Sequence, residues 1–121
     1  MTNNSLLQAI DIYKEYTNGT CKLPVLHRIN LSIKKGEILI VVGASGAGKS
    51  TLLHILGILD TPTSGSVIYK GINLTNLSSK KQAEVRNRIF GFVFQFYHLL
   101  PDFTALENVM LPCLIGSGLR T

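Results

Sequence analysis

The sequence predicts an α/β fold in which a small antiparallel sheet precedes a parallel core, and three observations predict it. Two apolar segments, residues 6–13 and 25–33, lie on either side of a turn-forming stretch. Residues 38–42 form an uninterrupted Ile-Leu-Ile-Val-Val run. A glycine-rich octet follows at once, and behind it the apolar residues recur with helical spacing.

The first pair of strands is separated by a polar region that contains Asn18-Gly19 and Pro24, residues suited to turns. In the second strand Ile29, Leu31 and Ile33 alternate with Arg28, Asn30 and Ser32, which is the period of a sheet with one wet face. Lys35-Gly36 closes it. The run 38–42 does not alternate, so it is expected to be a strand buried on both faces and central in a parallel sheet.

The octet is Gly43, Ala44, Ser45, Gly46, Ala47, Gly48, Lys49 and Ser50, which fits the phosphate-loop pattern G-x-x-x-x-G-K-[ST]. Its glycines allow successive backbone N–H groups to turn inward as an anion nest, reinforced by the N-terminus of the helix behind it. Lys49 would supply a mobile positive charge for the β and γ phosphates, the Ser50 hydroxyl a ligand for Mg²⁺, and Thr51 a donor to an α-phosphate oxygen. The helix is expected to bury Leu52, Leu53, Ile55, Leu56 and Leu59.

Beyond it, Asp60-Thr61-Pro62-Thr63-Ser64-Gly65 is a dense turn cluster, residues 66–69 a short strand, and Lys70-Gly71 a hairpin turn. Ser79 and Gln82 have capping-box spacing ahead of a polar helix over 80–88, with Glu84 and Arg88 placed for an i, i+4 pair. Residues 89–94 return to strand character, with Phe90, Phe92 and Phe94 on one face. Thr104 and Glu107 mark a second capping box, opening a helix that runs to Pro112 or slightly past it.

Composition narrows the possibilities. The chain has 121 residues, 45% of them apolar, which is enough for one modest core. A net charge of +5 favours anionic partners without choosing among them. No apolar stretch approaches the roughly 20 residues of a membrane-spanning helix. The first ten residues have neither basic residues nor a long apolar block, so no secretory signal is expected and a cytosolic location follows. Cys21 and Cys113 lack metal-ligand or CxxC spacing and are expected to be reduced thiols.

The octet, the turn Leu59-Asp60-Thr61-Pro62-Thr63-Ser64-Gly65 and the stretch Gly91-Phe92-Val93-Phe94-Gln95-Phe96-Tyr97-His98-Leu99-Leu100-Pro101 together resemble the ATP-binding subunits of ABC transporters. The region from Phe94 to Pro112 most resembles the lipoprotein-releasing exporter ATPase, with macrolide-exporter relatives close behind. The resemblance implies a P-loop NTPase of the ABC ATPase type with an N-terminal antiparallel β subdomain, binding ATP and Mg²⁺. It makes Tyr16 the aromatic that stacks on adenine. It makes Gln95 the glutamine that approaches Mg²⁺ and the attacking water. The apolar neighbours Phe96, Tyr97, Leu99 and Leu100 become a groove for a short helix of a transmembrane permease, with His98 on the same surface, whereas His27 and His54 are expected to be structural. A second ATP-binding subunit is the other implied partner, and the implied location is peripheral, on the inner face of the cell membrane. No nucleic-acid partner is expected.

The family's later parts do not occur in the sequence. They are the helical subdomain, the Leu-Ser-Gly-Gly signature, the strand ending in Asp-Glu and the switch His. Residues 56–60 end in Asp, but Thr61 follows, so they cannot supply the metal-organising Asp and its neighbouring Glu base. The expectation is therefore the N-terminal half of a nucleotide-binding domain, with an incomplete core, from a truncated gene or a partial sequence. Such a chain is expected to bind nucleotide without hydrolysing it alone, and to leave residues 38–42 open to aggregation. Two rival readings are weaker. An RNA-binding RRM would use Phe90-Gly91-Phe92-Val93, but Ile89 and Gln95 break its pattern and the octet would have no purpose. A small P-loop kinase usually begins at the phosphate-loop strand, whereas mainly β sequence precedes the octet here.

Overall fold

The structure is a computed structural model and describes residues 5–44, 46, 48–93 and 100–116, with side chains described to Cys113. The chain divides into two compact units, Met1–Ser78 and Ser79–Thr121.

The first unit is built on a four-stranded sheet of order β2-β1-β3-β4, antiparallel throughout. Strands β1 (Ser5–Asn18) and β2 (Cys21–Lys34) form a long hairpin closed at Gly19-Thr20, longer at both ends than the two predicted segments. Pro24 lies inside β2 opposite Glu15 and not in the turn. It is tolerated because β2 is an edge strand and the register slips there between Lys14 and Glu15. A second irregularity matters more. Asp11 and Arg28 adopt positive φ, 49° and 47°, and the register shifts between Ala9 and Ile12 and again between Ile12 and Lys14. The Asn30 amide stitches this double bulge: its Oδ1 accepts from the Asp11 N–H at 3.0 Å, and its Nδ2 donates to Asp11 Oδ1 at 3.1 Å and Arg28 O at 3.2 Å. The extra residue resets the alternation, so Ile12 returns to the face that buries Leu7 and Ala9.

Helix α1 (Lys49–Leu56) buries Leu52, Ile55 and Leu56, spaced i, i+3, i+4. With Leu7, Ala9, Ile12, Leu26, Ile58, Val67 and Leu74 these make up the core of the unit. Leu53 and Leu59 were both expected inside, but they are exposed. Leu53 falls on the solvent side of the helical turn, and the helix has already ended before Leu59. The end is a Schellman motif, in which the Leu59 N–H reaches His54 O at 2.8 Å and the Ile58 N–H reaches Ile55 O at 3.0 Å. The left-handed position usually given to glycine is held by Ile58, at φ 52°, with Gly57 one residue too early. Ile58 is 4% exposed, so burial of its side chain offsets a conformation that β-branched residues avoid.

Strand β3 (Ser64–Tyr69) pairs with β1, and the turn at Lys70-Gly71, both residues at positive φ, leads to β4 (Ile72–Asn73) and a 3-10 turn over Leu74–Asn76. The Asn73 side chain caps that turn at the Thr75 N–H, 3.0 Å away.

Two predicted strands are not formed. Residues 37–44 have no regular structure, and Ile38, Ile40 and Val42 are 88%, 76% and 82% exposed instead of buried. A β-branched run becomes a strand only when neighbours accept its backbone groups, and no described residue is paired with this segment. Likewise, α2 takes Ile89 and residues 90–93 are irregular, with Val93 fully exposed. The Phe90 and Phe92 rings lie 6.3 Å apart within this irregular segment, not as one face of a strand; Phe94 is outside the described residues.

In the second unit, α2 (Ser79–Ile89) starts at Ser79 itself, and Glu84 pairs with Lys81 at 3.8 Å, an exposed i, i+3 contact that adds little stability. A turn at 100–103, with Pro101 in its second position, leads to α3 (Ala105–Gly116), which contains Pro112. The predicted capping box is present at the start of α3: the Glu107 N–H donates to Thr104 Oγ1 at 3.1 Å and the Thr104 N–H to Glu107 Oε1 at 2.9 Å. Asn108, unremarkable in the sequence, clips the turn to the helix. Its Oδ1 accepts from the Leu100 N–H at 2.8 Å, and its Nδ2 donates to the carbonyls of Leu100, Phe103 and Thr104. Asn87 ties α2 to α3 through Pro112 O at 2.8 Å. Replacing Thr104 with Ala is expected to cost about 1 kcal/mol, measured as a shift of the denaturant midpoint, whereas Thr104→Ser should leave it nearly unchanged.

Candidate functional site

The octet enters α1 as a loop. Ser45 and Ala47 are outside the described residues, and the strand expected before the loop is absent, so the strand–loop–helix context of the sequence is realised only as loop and helix. Gly46 and Gly48 stand at φ 83° and 91°. Gly48 is required twice over. A Cβ there would meet Val25 Cγ1 at 2.9 Å and Leu26 Cδ2 at 3.0 Å, so the residue that lets the loop turn also lets the first turn of α1 dock on β2. The Lys49 ammonium folds back over the loop, donating to Gly43 O and, at 3.1 Å, to Ala44 O. A cation held by two neutral carbonyls at the mouth of a glycine-rich bend is poised to exchange them for phosphate oxygens, which are stronger acceptors. Ser50 is exposed at the start of the helix.

Tyr16 is brought to this helix from the far end of β1. Its hydroxyl lies 3.4 Å from Thr51 Oγ1 and donates to Asp60 Oδ2 at 3.2 Å. Because the phenol has one proton and gives it to the carboxylate, the Thr51 hydroxyl is the donor in the other contact. Lys14 completes the group, with its Nζ 3.3 Å from Asp60 Oδ1, 2.8 Å from Thr61 O and 5.0 Å from the centre of the Tyr16 ring. The turn after α1 is tied to the same strand by the Thr63 N–H on Tyr13 O at 2.8 Å and the Glu15 N–H on Thr63 Oγ1 at 3.0 Å.

Partial burial pushes the Asp60 carboxyl up, but the Thr61 N–H, the Lys14 ammonium and the Tyr16 hydroxyl outweigh it and hold the group below its ordinary value of 3.8. A carboxylate depressed on folding contributes stability that is complete above the ordinary value and lost as pH falls through the folded one. Thermal melts between pH 5 and pH 2 are therefore expected to converge for the wild type and Asp60→Asn as pH falls, with the wild type ahead at the upper end. Nearby, the Glu15 carboxylate accepts the Tyr13 hydroxyl proton at 3.0 Å and raises the pKa of that phenol.

Gln95, Phe96, Tyr97, His98 and Leu99 lie outside the described residues; Leu100 is half exposed. His27 is edge-on to the Tyr13 ring at 6.0 Å, and His54 is exposed on α1 with its carbonyl closing the helix end. Cys21 and Cys113 are exposed and free. Asp60 and Lys14 are the members of the site that the sequence does not reveal. They stand 46 positions apart, and only the fold of the turn after α1 onto β1 joins them.

The ABC transporter family model matches residues 26–119. The dimeric ATP-binding cassette MJ0796, in a post-hydrolysis state bound to ADP and Pi, is 39% identical and superposes with a TM-score of 0.88 over 95% of this chain and 50% of that one. Another dimeric structure of MJ0796, described as a bacterial ABC transporter cassette, gives 40% identity and 0.87 over 91% and 47%. The cbiO1 protein of Clostridium perfringens, part of the ABC transporter complex cbiONQ, gives 26% and 0.59 over 70% and 32%. The fold is thus that of the P-loop ATPase cassettes, with an antiparallel N-terminal sheet. The chain belongs to the ABC transporter family as an ATP-binding cassette sequence, and it spans about half the length of the MJ0796 cassette. Among the described residues no helix is long and apolar enough to cross a membrane.

Proposed function

We propose that this chain binds Mg-ATP as the N-terminal part of an ABC nucleotide-binding domain, with residues 43–51 as the Walker A phosphate loop. One observation carries this reading: Tyr16, the residue that would stack on adenine, is hydrogen-bonded to Thr51, 35 positions away, at the helix that would hold the phosphates. That contact supports a base site beside the polyphosphate site. In this reading Gly43, Ala44, Ser45, Gly46, Ala47 and Gly48 would offer their backbone N–H groups to the phosphates, Lys49 would take the β and γ phosphates, and Thr51 would release Tyr16 to donate to the α phosphate.

Mg²⁺ would arrive on the phosphate oxygens and take the exposed Ser50 hydroxyl as a ligand, with Gln95 the further ligand that the family resemblance implies. Bound there, the ion neutralises charge on the β and γ oxygens.

In the complete subunit the reading extends to ATP hydrolysis coupled to export, of the lipoprotein-releasing type. That subunit would lie on the inner face of the cell membrane, paired with a second ATP-binding subunit. MJ0796 has a dimeric structure bound to ADP and Pi, and cbiO1 is part of an ABC transporter complex; both support such an assembly. A permease helix would dock around Gln95, Phe96, Tyr97, Leu99 and Leu100. The exposed Phe103, Leu106, Val109 and Met110 supply the apolar surface that such docking needs. Titration of the purified chain with Mg-ATP, followed by a phosphate-release assay, tests the proposal. Saturable binding with no turnover above the buffer rate is expected; absence of binding would remove it.

A further inference from the structure

We propose that Asp60 is a positioning residue for the base: through the Tyr16 hydroxyl it fixes the aromatic ring in the orientation that stacks on adenine. The inference rests on the nucleotide site proposed above and adds a residue to it.

Tyr16 sits near the tip of the β1–β2 hairpin, where Glu15 is part-buried and Thr17 and Asn18 are exposed, and is itself 42% exposed. Packing alone does not choose a rotamer for a ring so placed. Its orientation is fixed at the hydroxyl, by Asp60 Oδ2 at 3.2 Å and Thr51 Oγ1 at 3.4 Å. The two anchors differ in permanence. Thr51 must give up its contact when its hydroxyl turns to a phosphate, whereas Asp60 is held independently by Lys14 at 3.3 Å and by the Thr61 N–H at 2.8 Å. Lys14, in turn, is fixed on Thr61 O and lies over one face of the Tyr16 ring, so a base would stack on the other. Asp60 is thus the anchor that persists when nucleotide binds, and it removes in advance the rotamer freedom that binding would otherwise have to remove.

The test compares Mg-ATP with magnesium tripolyphosphate, which has the phosphates and no base, by titration calorimetry on the wild type, Tyr16→Phe, Asp60→Ala, Asp60→Asn, the Tyr16→Phe/Asp60→Ala double variant and Lys49→Ala. Tyr16→Phe and Asp60→Ala are each expected to weaken Mg-ATP by roughly three- to tenfold, the effect of immobilising one side chain on binding, and to leave tripolyphosphate unchanged. The double variant is expected to be no weaker than either single one, since both cut the same link. Asp60→Asn keeps an acceptor oxygen and should recover most of the ATP preference. Tyr16→Phe leaves the Lys14–Asp60 pair intact, so it decides the matter even if Asp60→Ala does not fold. Equal losses for both ligands, unaltered Mg-ATP affinity in Tyr16→Phe, or additive effects in the double variant would overturn the proposal. Failure of the underlying site reads differently: Lys49→Ala would then bind tripolyphosphate as well as the wild type does.

Discussion

Replacing Lys49 with Ala is expected to weaken Mg-ATP binding by roughly 10- to 100-fold without lowering the melting temperature of the free protein. Loss of a charge-assisted bond to phosphate accounts for about 1.5–3 kcal/mol, and about 1.4 kcal/mol is tenfold in affinity. The free protein should barely notice the change, because the ammonium's partners among the described residues are Gly43 O and Ala44 O, in a loop open to water that can replace it. Calorimetric titration of the two chains, alongside their thermal melts, separates the effects. A drop in melting temperature of several degrees with unchanged affinity would make Lys49 a structural clamp on the loop instead of a phosphate ligand.

The largest loss of stability is expected at Gly65. It stands at φ 98°, and a Cβ there would fall 2.7 Å from both the Asp11 carbonyl carbon and Ile10 O, with Asp11 O closer still. These are backbone atoms at the double bulge, fixed by the Asn30 amide, so they cannot yield as the end of a side chain would. The left-handed conformation adds about 1–2 kcal/mol for any residue with a Cβ, and the overlap about 1–3 kcal/mol more. The total is a large share of the roughly 5–15 kcal/mol that holds a domain together. Gly65→Ala should therefore shift the urea midpoint strongly downward or prevent folding. A midpoint within experimental error of the wild type would show that β1 and β3 can separate there at little cost.

The parts of the fold legible in the sequence are those set by local chemistry. The hairpin turn at Gly19 and the turn at Lys70-Gly71, the Thr104/Glu107 capping box and the apolar spacing of Leu52, Ile55 and Leu56 depend on residues a few positions apart, and all are present. The parts that misled depend on partners. Residues 38–42 and 89–93 are rich in strand-forming side chains, but such propensity is a demand for neighbours, and without a ladder the segments stay irregular or join the adjacent helix. At the site, the octet is readable because its glycines and lysine are contiguous, whereas the Lys14–Asp60–Tyr16 group is assembled only when the turn after α1 folds onto β1. The double bulge was hidden for the same reason: nothing in the local pattern around Asp11 and Arg28 marks it.

Ile58 gives the core a mechanical hold on the base-side residues. Its backbone torsion is held by the Schellman hydrogen bonds together with the burial of its side chain, and that torsion sets the direction in which the chain leaves α1 toward Asp60, two residues on. Interior packing and the aim of the carboxylate are consequently one lever: a repacking that freed the isoleucine would let the lever relax to a commoner torsion and swing Asp60 off the Tyr16 phenol.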